Sequence, residues 1–443
     1  MKFTCSFHRQ SAASVLALAI GAAILLPAAA AEFESKPADP YFDKFELLKA
    51  PAPGPLLLQP GDQLAIVGDS ITEQKLYSRI IETYLTVCVP ELKIKARQIG
   101  WSGETAEGFR RRMANDCLRF HPTVATLCYG MNDHKYRAYD EANGEWYRSN
   151  YTAVAHALKA SGARVVLGSA GCVGRTPHWV GDTNAPVDDL NVNLCHLRNF
   201  DIEIAAQEQV RFADVFWPML NARFDALKEY GADYAVAGKD GVHPGWSGHL
   251  IMAYAFLKAM GLDGDLGAFT VNIATGSATA TGGHTVDSFT NNTLTVTSSR
   301  YPFCATGEPN ADNSIRSGMT LVPFNAELNR LTLVVKGATA ANYTVTWGDS
   351  ARTYSADQLA KGVNLAEDFA VNPFSEAFNK VDEAVAAKQK YETRQIKEMF
   401  HSPESRADFD ATFALTEKTR QPLADAIARA FVPVTHTIHI EPK

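Results

Sequence analysis

Ser70, Asp240 and His243 have the side-chain types that acyl transfer through a covalent intermediate needs. A serine hydroxyl is a poor nucleophile until a base takes its proton. His243 is the candidate base. Asp240, three residues earlier, can accept a hydrogen bond from the other ring nitrogen, fixing the tautomer and stabilising the imidazolium. Both belong to the run Asp240-Gly241-Val242-His243-Pro244, so the pair needs little long-range organisation.

The elements that must position these groups are legible as alternating patterns. Gly68-Asp69-Ser70-Ile71 closes the apolar run 64–67 and opens a polar, helix-like stretch, which puts the hydroxyl at the C-terminal end of a strand. Ser102-Gly103-Glu104-Thr105 follows a strand candidate at 93–99, and Gly130-Met131-Asn132-Asp133 follows another at 123–129. Further strands are expected at 64–68, 164–169 and 211–216. Helices are expected at 73–86, 105–120, 147–160, 188–209 and 217–230, and an apolar one at 247–260. This β–α alternation implies a parallel sheet with helices on both faces. A second Gly-Asp-Ser, at Gly348-Asp349-Ser350, follows the alternating run 343–347 and reads as a β-turn. Ser70 therefore takes its significance from its neighbours, not from its tripeptide.

With the four blocks around Ser70, Gly103, Asn132 and Asp240–His243 in this order, the chain resembles the SGNH hydrolases, or GDSL esterases and lipases, over about 64–262. The resemblance implies a flavodoxin-like three-layer α/β sandwich. It also implies an oxyanion hole built from the main-chain N–H groups of Ser70 and Gly103 and the side-chain amide of Asn132. Gly100 competes with Gly103 for the second position. Asp69 and Asp133 are expected to brace loops. Where many relatives carry Asn, this chain has Gln98, which alters the bracing of the second block but removes no catalytic atom. The other serine-hydrolase signature, G-x-S-x-G, is absent, since Gly245-Trp246-Ser247-Gly248 runs into His249.

Composition bounds the remainder. Lys2 and Arg9 precede an apolar run at about 12–26, then Pro27 and an alanine string, the pattern of a secretory leader over 1–31. The apolar run is about 15 residues, short for a membrane span. Domains are expected at 32–60 (an N-terminal extension), 61–265 (the hydrolase) and 266–443 (an accessory region). The net charge of −7 argues against a nucleic-acid partner or an anionic membrane surface. The one basic run, Arg110-Arg111-Arg112, reads as a solvated helix face. Six of the seven cysteines lie beyond the leader. Cys172 and Cys195 are the favoured disulfide pair, with buried free thiols as the competing reading. No Cys or His spacing fits a structural zinc site, and no cofactor is required.

From 269 to 347 short alternating runs suggest a small antiparallel β module, followed by a helical hairpin at 374–400 and 408–431 and a last edge strand at 432–440. Its bland role is to cover the hydrolase core; its functional roles are a wall of the cleft or a glycan-binding module.

These expectations point to an exported ester hydrolase. Trp101, Trp146, Trp179 and Trp246 are expected in loops near the catalytic blocks, where indole faces can stack on sugar rings. That favours an acylated polysaccharide or oligosaccharide as substrate. A lipid or aryl esterase or thioesterase of the same fold is the alternative, and a non-catalytic glycan-binding protein is the second.

Overall fold

Five short parallel strands order the N-terminal half. They are β1 (Gln63–Gly68), β2 (Lys95–Gly100), β3 (Val124–Cys128), β4 (Arg164–Gly168) and β5 (Arg211–Ala213). The computed structural model describes residues 1–2, 32–180 and 185–443, so the leader expected at 1–31 lies outside the described residues apart from its first two. The strand order is β2-β1-β3-β4-β5, the flavodoxin-like arrangement. Side chains alternate between two apolar layers, as strands covered on both faces require. On β1, Leu64 and Ile66 join one core, while Ala65 and Val67 join the other. The chain reverses direction of growth between β1 and β3. Open α/β sheets form their ligand crevice at such a switch point, outside the strand C-termini.

The helices follow the expected pattern with one informative exception. Instead of one helix at 73–86, a single turn Ser70–Glu73 is followed by a separate helix Tyr77–Val87. Lys75 sits at φ 60 in the break. No glycine or proline marks this break. It is stabilised from outside, because the Gln74 side chain donates to the Pro244 carbonyl at 3.2 Å.

The C-terminal half builds two more sheets. A four-stranded sheet includes the parallel neighbours Asp265–Asn272 and Arg330–Lys336, and a five-stranded sheet is antiparallel throughout. Val434–Pro442 is not an edge strand. It lies at the centre of the five-stranded sheet, between Asn342–Trp347 and Thr293–Ser298. Its alternation shows that one face is buried (His436, Ile438, Ile440) and carries no information about flanking strands. Gly348 and Asp349 form the expected turn, joining two paired strands with Gly348 at φ 62.

The long helices Ser375–Arg394 and Phe409–Ala430 solve the problem of the exposed sheet edge at β2. Unpaired strand edges invite association with other chains. Here the Lys388 ammonium donates to the Ala96 carbonyl at 2.6 Å and the Arg420 guanidinium to the same oxygen at 3.0 Å. The main-chain N–H of Gln98 donates to Glu392 at 3.0 Å. Phe33–Lys443 form one compact unit, and apolar residues from both halves share its cores. Among the described residues no helix is long and apolar enough to cross a membrane.

Candidate active site

Ser70 leaves β1 at a point where the chain is packed too tightly for any residue but glycine. A Cβ on Gly68 would stand 2.1 Å from the Thr72 hydroxyl oxygen and 2.8 Å from the Cys128 carbonyl oxygen. The next residue, Asp69, caps the turn Ser70–Glu73 by accepting the Ile71 N–H at 2.9 Å. This fixes the Ser70 hydroxyl at the switch point.

The imidazole of His243 meets it there. Ser70 Oγ and His243 Nε2 are 2.8 Å apart, and His243 Nδ1 is 2.8 Å from Asp240 Oδ2. Asp240 Oδ1 also accepts the main-chain N–H groups of Val242 and His243, at 2.9 and 2.8 Å. Burial pushes the Asp240 carboxyl up, but these hydrogen bonds outweigh it and hold the group below the usual range. An ionised acceptor at Nδ1 places the ring proton there and leaves Nε2 as the lone pair that faces the serine.

Gly103 and Asn132 flank this chain of groups from the ends of β2 and β3. Gly103 has φ 73 and open space where a Cβ would stand. Gly100, its rival, is instead the last residue of β2, where a Cβ would meet the Glu73 nitrogen at 2.3 Å. The Asn132 amide nitrogen donates to the Glu104 carbonyl at 3.0 Å, and its approach to Asp69 is long, at 3.4 Å. Asp69 and Asp133 do brace loops. Asp133 accepts from Ala106 and Gly130, tying the second block to the third.

Of the four tryptophans, Trp179 stands at the imidazole. Its ring centre is 5.6 Å from that of His243, and 44% of its surface is exposed. Trp101 is anchored beside β1, since its main-chain N–H donates to the Gly68 carbonyl at 3.0 Å, but Arg112, Lys397 and His401 surround its ring. Trp146 is not in a loop: it lies inside the helix Glu141–Ala160, beneath Lys135. Trp246 opens the helix Trp246–Ala259 and packs on Arg79. The basic run also needs correction. Arg110 and Arg111 are exposed, but the Arg112 side chain is only 8% exposed and grips Glu104 with Nε and Nη2, both at 2.6 Å. Helical spacing put Arg112 on a different face from its neighbours. Cys172 and Cys195 are free, like the other four described cysteines, and all six are buried.

Several residues of the site carry no sequence signal. Tyr136 donates to Asn132 Oδ1 at 3.3 Å from a backbone in which both Lys135 and Tyr136 have positive φ. His249 receives the Tyr77 N–H at Nδ1 and lies 3.1 Å from Gln74 Oε1, so it backs the side chain that holds the Pro244 carbonyl. Burial holds its ring neutral, lowering it to about 3.

Residues 66–251 match the GDSL-like Lipase/Acylhydrolase family. The matched stretch is similar to the SGNH hydrolase superfamily. The chain is 25% identical to an acetylxylan esterase of Geobacillus stearothermophilus over 221 residues, which is 46% of the chain and 95% of the relative. Among solved structures it resembles a gut microbial diltiazem-metabolizing enzyme, with a TM-score of 0.69 and 21% identity, over 88% of this chain and all of that one. That likeness extends the shared fold beyond the hydrolase half into the C-terminal sheets and helices. A structure of a catalytic mutant of the Geobacillus stearothermophilus acetylxylan esterase aligns over 46% of this chain and 97% of its own, at 22% identity and a TM-score of 0.39. The family match and the esterase relative support a carboxylic ester hydrolase.

Proposed function

We propose that this protein is an exported serine esterase that removes small acyl groups, acetyl foremost, from a carbohydrate. The observation that carries the reading is the unbroken chain Ser70 Oγ, His243 imidazole, Asp240 carboxylate, with 2.8 Å at each step, at the sheet's switch point. The carbohydrate part draws support from the half-exposed indole of Trp179 beside His243 and from the likeness to an acetylxylan esterase.

In this reading Ser70 Oγ attacks the acyl carbon while His243 Nε2 takes the hydroxyl proton. The carbonyl electrons move onto oxygen, which the N–H groups of Ser70 and Gly103 and the Asn132 amide receive. Collapse of this intermediate breaks the bond to the sugar oxygen, which leaves with the proton from Nε2. Water then attacks the acyl-serine by the same route, with His243 as base. Acetate departs and Ser70 is restored.

Acetate release across a panel of acetylated polysaccharides, beside p-nitrophenyl esters from acetyl to octanoyl, tests the reading. We expect acetate from at least one polysaccharide and rates that fall with chain length. Rates that climb towards octanoyl would favour a lipid substrate. No Ser70-dependent hydrolysis of any ester would leave a glycan-binding protein on a hydrolase scaffold.

A further inference from the structure

The C-terminal region reaches the nucleophile turn through one side chain. Lys397 Nζ lies 2.8 Å from both carboxylate oxygens of Glu73, the residue that ends the Ser70–Glu73 turn. Glu73 Oε2 in turn accepts the main-chain N–H of Ser102 at 2.5 Å and its hydroxyl at 2.6 Å. Ser102 immediately precedes Gly103. A carboxylate from the first block thus holds the loop of the second, and a cation 324 positions away in sequence holds the carboxylate.

Lys397 is presented by a rigid support. The helix Ser375–Arg394 gives way at Gln395–Met399 to a π turn, a costly irregularity that recurs at functional sites. Gln395 pins that turn to Arg97 at 2.9 Å and to Glu417 at 2.7 Å. Two residues earlier Thr393 donates to Gln98 Oε1 at 3.1 Å, while Gln98 Nε2 donates to the Thr72 carbonyl at 2.8 Å. The extra methylene of Gln98 over Asn therefore gives the C-terminal helix a second line to the Ser70 turn. Burial alone would raise the Glu73 carboxyl; Lys397 and Ser102 more than reverse it and keep the group ionised.

We propose that Lys397 and Glu73 are positioning residues of the esterase site, which hold Ser102 so that the Gly103 N–H meets the developing oxyanion. This inference rests on the assignment of Ser70 as nucleophile and adds to it a role for the C-terminal region. In this role both side chains act through the 101–103 loop, not by touching substrate. Misplacing a preorganised donor lowers transition-state binding more than substrate binding.

The test compares p-nitrophenyl acetate kinetics of the full chain with those of Lys397→Met, Lys397→Arg, Glu73→Gln and the Glu73→Gln/Lys397→Met double variant. Arg394→Ala, which removes an exposed ion pair on the same segment, is the control. Affinity for a methyl trifluoromethyl ketone, whose serine adduct places an oxyanion in the hole, is measured alongside. Lys397→Met is expected to lower kcat at least tenfold with KM within threefold, to weaken the ketone in parallel, and to melt within a few degrees of wild type. Lys397→Arg should recover most of kcat, and the double variant should be no worse than the poorer single one. A kcat for Lys397→Met within twofold of wild type overturns the inference. So does a loss of kcat with unchanged ketone affinity. Full activity in Ser70→Ala, by contrast, would overturn the nucleophile assignment itself.

Discussion

Asp240 reaches His243 twice: one carboxylate oxygen takes the residue's main-chain N–H and the other its ring Nδ1, both at 2.8 Å. The three-residue loop therefore sets the orientation of the ring and its tautomer together. Asp240→Asn removes the anion while nearly preserving shape. We expect it to lower kcat for p-nitrophenyl acetate by about 10⁴-fold, the scale seen when a triad carboxylate becomes an amide. Steady-state kinetics beside a thermal melt would check this, with the melt little changed.

Trp179 tests the substrate class. Its half-exposed indole lies beside the imidazole, where a sugar ring can stack. Trp179→Ala should raise KM for an acetylated oligosaccharide about tenfold, equal to about 1.4 kcal/mol of binding. KM for p-nitrophenyl acetate should change far less. Equal effects on both substrates would remove Trp179 from the carbohydrate argument.

The buried charges between the C-terminal helices and the hydrolase make a prediction about acid stability. Glu392 is fully buried against Lys388 and Arg420. Burial alone would raise its carboxyl, but Lys388, Arg420 and Arg97 bring it down to about 2. A carboxyl lowered from an ordinary 4.5 contributes stability that is complete above pH 4.5 and lost as pH falls towards 2. Glu82 shares Lys388 and is pushed the other way by burial, so the relevant quantity is the difference between wild type and Glu392→Gln. Glu392→Gln should cost about 3–5 kcal/mol at pH 7, because it leaves buried cations uncompensated. That deficit should shrink between pH 4.5 and 2. Urea unfolding across this range would measure both.

The six described cysteines predict an absence of redox dependence. All are buried thiols, and burial raises each of them, Cys172 to about 11. Thiol titration of denatured protein comprising residues 32–443 should find six reactive groups without reductant, and dithiothreitol should leave the melting temperature unchanged. Fewer than six would revive a disulfide.

The hydrolase half was legible because its chemistry sits at strand ends. The runs that become β1, β2 and β3 are each followed by a candidate block, so Ser70, Gly103 and Asn132 fall at one edge of the parallel sheet, while Asp240 and His243 lie in the loop between the helices Phe216–Tyr230 and Trp246–Ala259. What could not be read was set by partners distant in sequence. The helix break at Lys75 has no local breaker, since Gln74 is drawn outward by the Pro244 carbonyl. Arg112 looked like its exposed neighbours until Glu104 folded against it. The place of Val434–Pro442 depended on which strands flanked it, and side-chain alternation is blind to that. Glu73 and Lys397 gave no signal at all, because an ion pair across most of the chain has no spacing rule.

The expectations for activity all depend on Ser70 being the nucleophile that His243 activates. Treatment with a fluorophosphonate followed by peptide mass spectrometry tests it most directly. We expect a single phosphonyl adduct on the peptide that contains Ser70, formed at least a hundredfold more slowly in His243→Ala. An unlabelled Ser70, or labelling at a different serine that accompanies loss of esterase activity, would contradict it.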